Sequence, residues 1–151
     1  MNSLENLRVT GKLNIVLKDE HGNIKDTREV NNLVVTSGAT YIASRMKDAT
    51  ATAMSHMAVG TGVGIAAAGN TTLTEVARVG LTSTTANPLN IVYVATFAPG
   101  TPATAQALTE AGIFNAASAG TMLCRTVFAV INKGTLDSMT ITWTITITPV
   151  P

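Results

Sequence analysis

This 151-residue chain has one cysteine, Cys124, and two histidines, His21 and His56. A single thiol excludes an intrachain disulfide and any multi-cysteine zinc site. A catalytic zinc usually takes three protein ligands, and the two histidines have no carboxylate at His-Glu-x-x-His spacing. Cys124 lies between Leu123 and Arg125 in an apolar run, where a thiol reads as buried and inert rather than as half of a Cys–His pair. Beyond residue 49 the acids are Glu75, Glu110 and Asp137, and no Gly-x-Ser-x-Gly elbow occurs, so a Ser/His/Asp triad lacks its parts. Gly60-Thr61-Gly62-Val63-Gly64 invites a dinucleotide-binding reading. Its third glycine comes two positions after the second instead of three, and no βαβ pattern surrounds it, so a flexible loop or tight turn is expected. No Gly-Lys-Ser/Thr phosphate loop is present. Asn70-Thr71-Thr72 matches a glycosylation sequon, but no apolar secretory stretch precedes it. Glu75 with Arg78 and Glu110 with Arg125 remain as isolated charges in an apolar region. Glu110 is expected to be structural, at the start of the strand Leu108-Thr109-Glu110-Ala111-Gly112-Ile113-Phe114. The expectation is therefore no catalytic, cofactor or metal site.

The elements that would position these residues are strands. Val9–Lys18 and Ile24–Val30 read as an N-terminal hairpin around Asp19-Glu20-His21-Gly22-Asn23, in which Gly22 and Asn23 tolerate positive φ. Thr36-Ser37-Gly38 reads as the N-cap of the one convincing helix, about three turns long, with Tyr41, Ile42, Arg45 and Met46 at helical spacing. Strands are expected at Met54–Val59, Glu75–Thr85, Asn90–Ala98, Ala107–Asn115, Met122–Ile131 and Met139–Thr148. The last has the cleanest period of two. Met139, Ile141, Trp143, Ile145 and Ile147 form a core row, and Thr140, Thr142, Thr144, Thr146 and Thr148 point the other way. Pro149 and Pro151 are expected to stop the pairing. Phe114 and Phe128 join the predicted core, with Glu110 and Arg125 as structural charges. The fold expected is mainly β, an antiparallel sandwich or barrel with one short helix. Residues 1–31 would form a charged hairpin arm and residues 32–151 the β domain, within one globular unit.

The composition is 46% apolar and 13% charged, which excludes intrinsic disorder. A net charge of +1 leaves no electrostatic footprint for nucleic acid or an anionic membrane, and no apolar run reaches the ~18–20 residues of a membrane span. The opening residues lack a signal-peptide pattern, so synthesis and retention in a cytoplasm are expected. Thirteen of the nineteen charged residues lie in residues 1–48. The later two-thirds fill their polar positions with Thr, Ser and Asn, which are less costly to desolvate against another protein than charges are. Thr142, Thr144 and Thr146 are the interface candidates on the last strand, with Leu4, Leu7 and Arg8 in the N-terminal segment.

Five stretches in order carry a resemblance: Asn32–Gly38 (NLVVTSG), Met57–Gly62 (MAVGTG), the Glu75/Arg78 segment, Leu108–Asn115 (LTEAGIFN) and Gly120–Phe128 (GTMLCRTVF). Together they resemble a group of small tailed-bacteriophage virion proteins. More loosely, they are similar to the N-terminal domains of phage tail-collar fibre proteins. The likeness runs over roughly residues 32–148. Fibre proteins continue into long repetitive shafts, whereas this sequence stops at Pro151 and adds a charged hairpin in front. The resemblance therefore implies a non-enzymatic capsid decoration (cement) protein, made in the host cytoplasm and located in the virion. Its partners would be the major capsid protein or other virion proteins, in a homo-oligomer, most often a trimer, with the N-terminal segment clasping neighbours. A tail, collar or fibre-associated protein involved in host-surface recognition or fibre attachment is the alternative.

Overall fold

The computed structural model describes residues 6–150. Within them are nine strands and one helix: β1 (Asn6–Lys18), β2 (Ile24–Val34), α1 (Thr36–Lys47), β3 (His56–Gly60), β4 (Glu75–Gly80), β5 (Ser83–Asn87), β6 (Asn90–Phe97), β7 (Gln106–Phe114), β8 (Met122–Lys133) and β9 (Ser138–Val150). All pairings are antiparallel, in the order β4-β3-β7-β8-β2-β1-β9-β6-β5. The fold is mainly β with one short helix, as expected, and the sheet curls into a half-barrel.

The curl has a covalent cause. β4 and β5 are the opposite edges of the sheet, yet only Leu81 and Thr82 separate them in the chain. Glu75–Thr85 is therefore not one strand. Its first part pairs with β3, and after Gly80 the chain crosses to pair with β6. Leu81 N–H donates to the Ser55 carbonyl on one side and Thr82 N–H to the Val94 carbonyl on the other, at 2.9 and 2.7 Å. A strand that changes partners at a corner is how two packed β layers stay continuous.

The hairpin is built as its turn chemistry predicts. Gly22 takes φ 81°, and Asp19 Oδ1 accepts the His21 and Asn23 N–H groups at 2.9 Å each. Asn23 does not take a positive φ. The hairpin lies in the middle of the sheet, with β1 paired to β9 along its length. It supplies Leu13, Ile15 and Leu17 to the same core as Ile141, Trp143 and Ile145. Between β2 and β8 the ladder lasts only for Leu33–Arg125 and Val34–Cys124. Farther along, Arg28 spans the gap to the carbonyls of Ala129 and Val130, at 3.1 and 3.2 Å.

Two sequence expectations about element ends are corrected. The N-cap of α1 is Val35, with no side-chain capping bond. Ser37 Oγ instead donates to the Met122 carbonyl at 2.8 Å, and Gly38 lies so close to the Leu123 backbone that a Cβ would collide with it. These residues dock the helix on β8 rather than cap it. Pro149 does not end β9 but pairs opposite Leu7. The β6 ladder stops at Asn90–Thr146, so the missing N–H of Pro149 falls where only β1 flanks the strand.

Candidate functional site

The threonine row of β9 becomes the centre line of a broad outer face. β1 and β6 flank it in register: Lys12 and Val92 lie opposite Thr144, Asn14 and Val94 opposite Thr142, and Thr10 and Asn90 opposite Thr146. Beyond them, β5 adds Ser83 and Thr85, and β2 adds Thr27 and Glu29. Because side chains alternate across a strand, these residues share the surface opposite the Trp143 row. Lys12 and Glu29 form an ion pair, so the centre of the face carries no net charge. Arg8, opposite Thr148, stands exposed at one end. Thr96 and Thr140 hydroxyls bond each other at 3.0 Å across two strands. Such a face presents β-branched methyls and hydroxyls, which cost less to desolvate than charged side chains in the same positions would.

Of the N-terminal interface candidates, Leu7 and Arg8 belong to β1, their backbones opposite Pro149 and Thr148 and their side chains exposed. Leu4 lies outside the described residues. The predicted core residues Trp143, Ile141, Ile145, Phe114 and Phe128 are all buried. Phe114 sits apart from the main core, in a smaller cluster with Val35, Ala58 and Met122 on the other side of β7.

Glu110 is not at a strand start but in the middle of β7, and it is fully buried. Its Oε2 receives Arg125 Nε at 2.9 Å and Arg125 Nη2 at 2.8 Å. Its Oε1 receives the Gly62 and Thr74 N–H groups at 2.9 and 2.6 Å. Arg125 reaches on to Asn70 Oδ1 at 2.9 Å and the Gly64 carbonyl at 3.0 Å. The glycine- and alanine-rich segment between β3 and β4 is thus fastened over β7 at both ends and in the middle. Gly62 has no room for a Cβ beside the Glu110 carboxylate, which is why glycine stands there. Glu75 and Arg78 pair at 2.6 Å. The Arg78 guanidinium lies 3.8 Å from the Phe114 ring centre and donates to the Ala116 and Ala119 carbonyls. Both isolated pairs hold loops.

The remaining reactive groups make local contacts among the described residues. Ser55 Oγ and His56 Nδ1 are 2.8 Å apart, a contact between neighbours in sequence, and no carboxylate forms an ion pair with His56 among the described residues. Burial raises the Cys124 thiol well above its ordinary pKa, the opposite of what a nucleophile needs. Among the described residues no group of three His, Cys, Asp or Glu side chains is placed to hold a metal. Comparison with known protein families, with curated proteins and with solved structures gives no match.

Proposed function

We propose that this chain is a non-enzymatic structural protein of a tailed-bacteriophage virion, a decoration (cement) protein that stabilises the icosahedral shell. Its partners are the major capsid protein or other virion proteins, engaged as a homotrimer without nucleic acid or membrane. The observation that carries the reading is the outer face around Thr142, Thr144 and Thr146, five strands wide and electrically neutral at its centre. Modest contacts repeated over a lattice hold by avidity, and a face of this kind suits many weak, identical contacts. The ordered phage-like stretches in the sequence support the same class.

Titrating purified shells with the protein tests the proposal. Saturation at a fixed stoichiometry, with greater resistance of the shell to heat, is the expected result. Thr142→Arg with Thr144→Glu should abolish that binding while leaving the thermal midpoint of the free protein nearly unchanged. Failure of every shell to bind saturably would count against the assignment.

One observation favours the alternative of a tail or fibre protein that recognises a host surface. An open cleft of about 650 Å³ beside the start of α1 is lined by Tyr41, by Thr36, Thr40, Thr71 and Thr121, and by Ala51, Ala68 and Gly69, while the Ser37 and Ser44 hydroxyls at its border donate to the Met122 and Tyr41 carbonyls. An aromatic ring among threonines suits a neutral sugar. Binding of the isolated protein to host cells, lost on Tyr41→Ala, would move the assignment to this class.

A further inference from the structure

The two sheet edges are guarded unequally. β4 carries Glu75 and Arg78. β5 is Ser83-Thr84-Thr85-Ala86-Asn87, with no charge and no proline, and all five residues are exposed. Edge strands are ordinarily blunted by charges, prolines or bulges because their free N–H and C=O groups accept another strand. Of these safeguards β5 has only its shortness.

An apolar groove of about 360 Å³ adjoins that edge. Thr84 forms one wall. Ile91 and Tyr93 of β6 and Ile145 of β9 line it, and Ile42 of α1 and Met54 face them. The one charged residue lining it is Arg45, whose guanidinium donates to the Ala51 carbonyl at 2.6 Å and meets no carboxylate within ion-pair distance among the described residues.

We propose that the free edge of β5 and this groove together bind an extended segment of a partner protein as an added strand. Two large apolar side chains at alternate positions enter the groove, and a carboxylate of the same segment pairs with Arg45. The edge fixes the backbone, because only an extended chain offers donors and acceptors at strand spacing. The pleat fixes the side chains, because residues of the new strand opposite Thr84 and Ala86 share their face and point into the groove. Arg45 fixes the sign of the charge. A second copy offering its own β5 brings only Thr84 and Ala86 to the groove and leaves it unfilled, which favours a partner segment with larger apolar side chains. This inference goes beyond the virion assignment and does not rest on it.

Hydrogen–deuterium exchange on the full chain tests it, with an acetylated, C-terminally amidated octapeptide that alternates threonine and isoleucine and ends in glutamate. The expected result is saturable slowing of exchange at Ser83–Asn87, about fivefold weaker binding when glutamine replaces the glutamate, and loss of binding in Ala86→Lys. The exposed position of Ala86 lets that variant fold, which its unchanged thermal midpoint confirms. Three outcomes overturn the proposal: no slowing at millimolar peptide, binding that Ala86→Lys leaves intact, or slowing that follows protein concentration without peptide. The last identifies a second copy as the occupant.

Discussion

The Glu110 carboxylate divides its two oxygens between a neighbouring strand and a loop. Oε2 faces Arg125 of β8, with Nη2 at 2.8 Å, while Oε1 holds the Gly62 and Thr74 amides. Removing its charge leaves a buried guanidinium without its counter-ion. Glu110→Gln is expected to cost about 3–5 kcal/mol in urea unfolding. The double variant Glu110→Leu/Arg125→Met should recover much of that loss, because the buried charges go together. Amide exchange at Gly62 and Thr74 should nevertheless stay fast in the double variant, since their acceptor is gone.

Gly11 and Trp143 are coupled through Asn32. The Trp143 Nε1–H donates to Asn32 Oδ1 at 3.1 Å, and a Cβ on Gly11 would run into that amide. Gly11→Ala should therefore displace Asn32, leave the indole N–H without its acceptor and destabilise the protein by about 1–3 kcal/mol. Trp143 is the sole tryptophan, so the emission spectrum reports the change directly.

Two groups near the β8–β9 turn make stability rise with pH, one in the acid range and one in the alkaline range. Asp137 is held below its ordinary 3.8, first by the hydrogen bond from Lys25 and then by the Gly134 N–H, with Lys25 and Lys133 adding their positive fields against burial. Its folded-state pKa is depressed, so its stabilising contribution is present above 3.8 and is lost as pH falls through the folded value. Burial lowers Lys133 from 10.5, while Asp137 pulls the other way. There the unfolded chain holds the proton more tightly, and stability rises with pH between the depressed value and 10.5. Asp137→Asn should flatten the acid limb of a stability–pH curve. Lys133→Met should raise stability at neutral pH and remove the alkaline rise.

Cys124 is fully buried and its thiol resists ionisation. Native protein should react with a maleimide no faster than it opens. The labelling rate should climb with urea in step with unfolding, a dependence that mass spectrometry follows.

The parts of this fold legible in the sequence are those in which one residue's neighbours decide its place. β9 reads correctly because its apolar and threonine rows alternate without a break, and burial of one row leaves a single register. The hairpin turn reads correctly because Asp19 and Gly22 act within five residues. The break at Leu81–Thr82 does not, because nothing local distinguishes a strand that keeps its partner from one that exchanges β3 for β6. Ser37 misleads for the same reason: its hydroxyl goes to a carbonyl on β8 rather than to its own helix. Glu110 stood out as a rare charge, but its tie to the glycine loop runs through backbone amides, which leave no signature in residue types.

The position of β9 has a consequence for how the sheet is completed. β9, which follows the other eight described strands in the chain, seats itself between β1 and β6. Until it arrives, the Trp143 row is missing and two strand flanks stand open along most of their length. The sheet therefore closes only once β9 is in place, and β9 works as a keystone that joins the six strands from β4 to β1 to the β6–β5 pair.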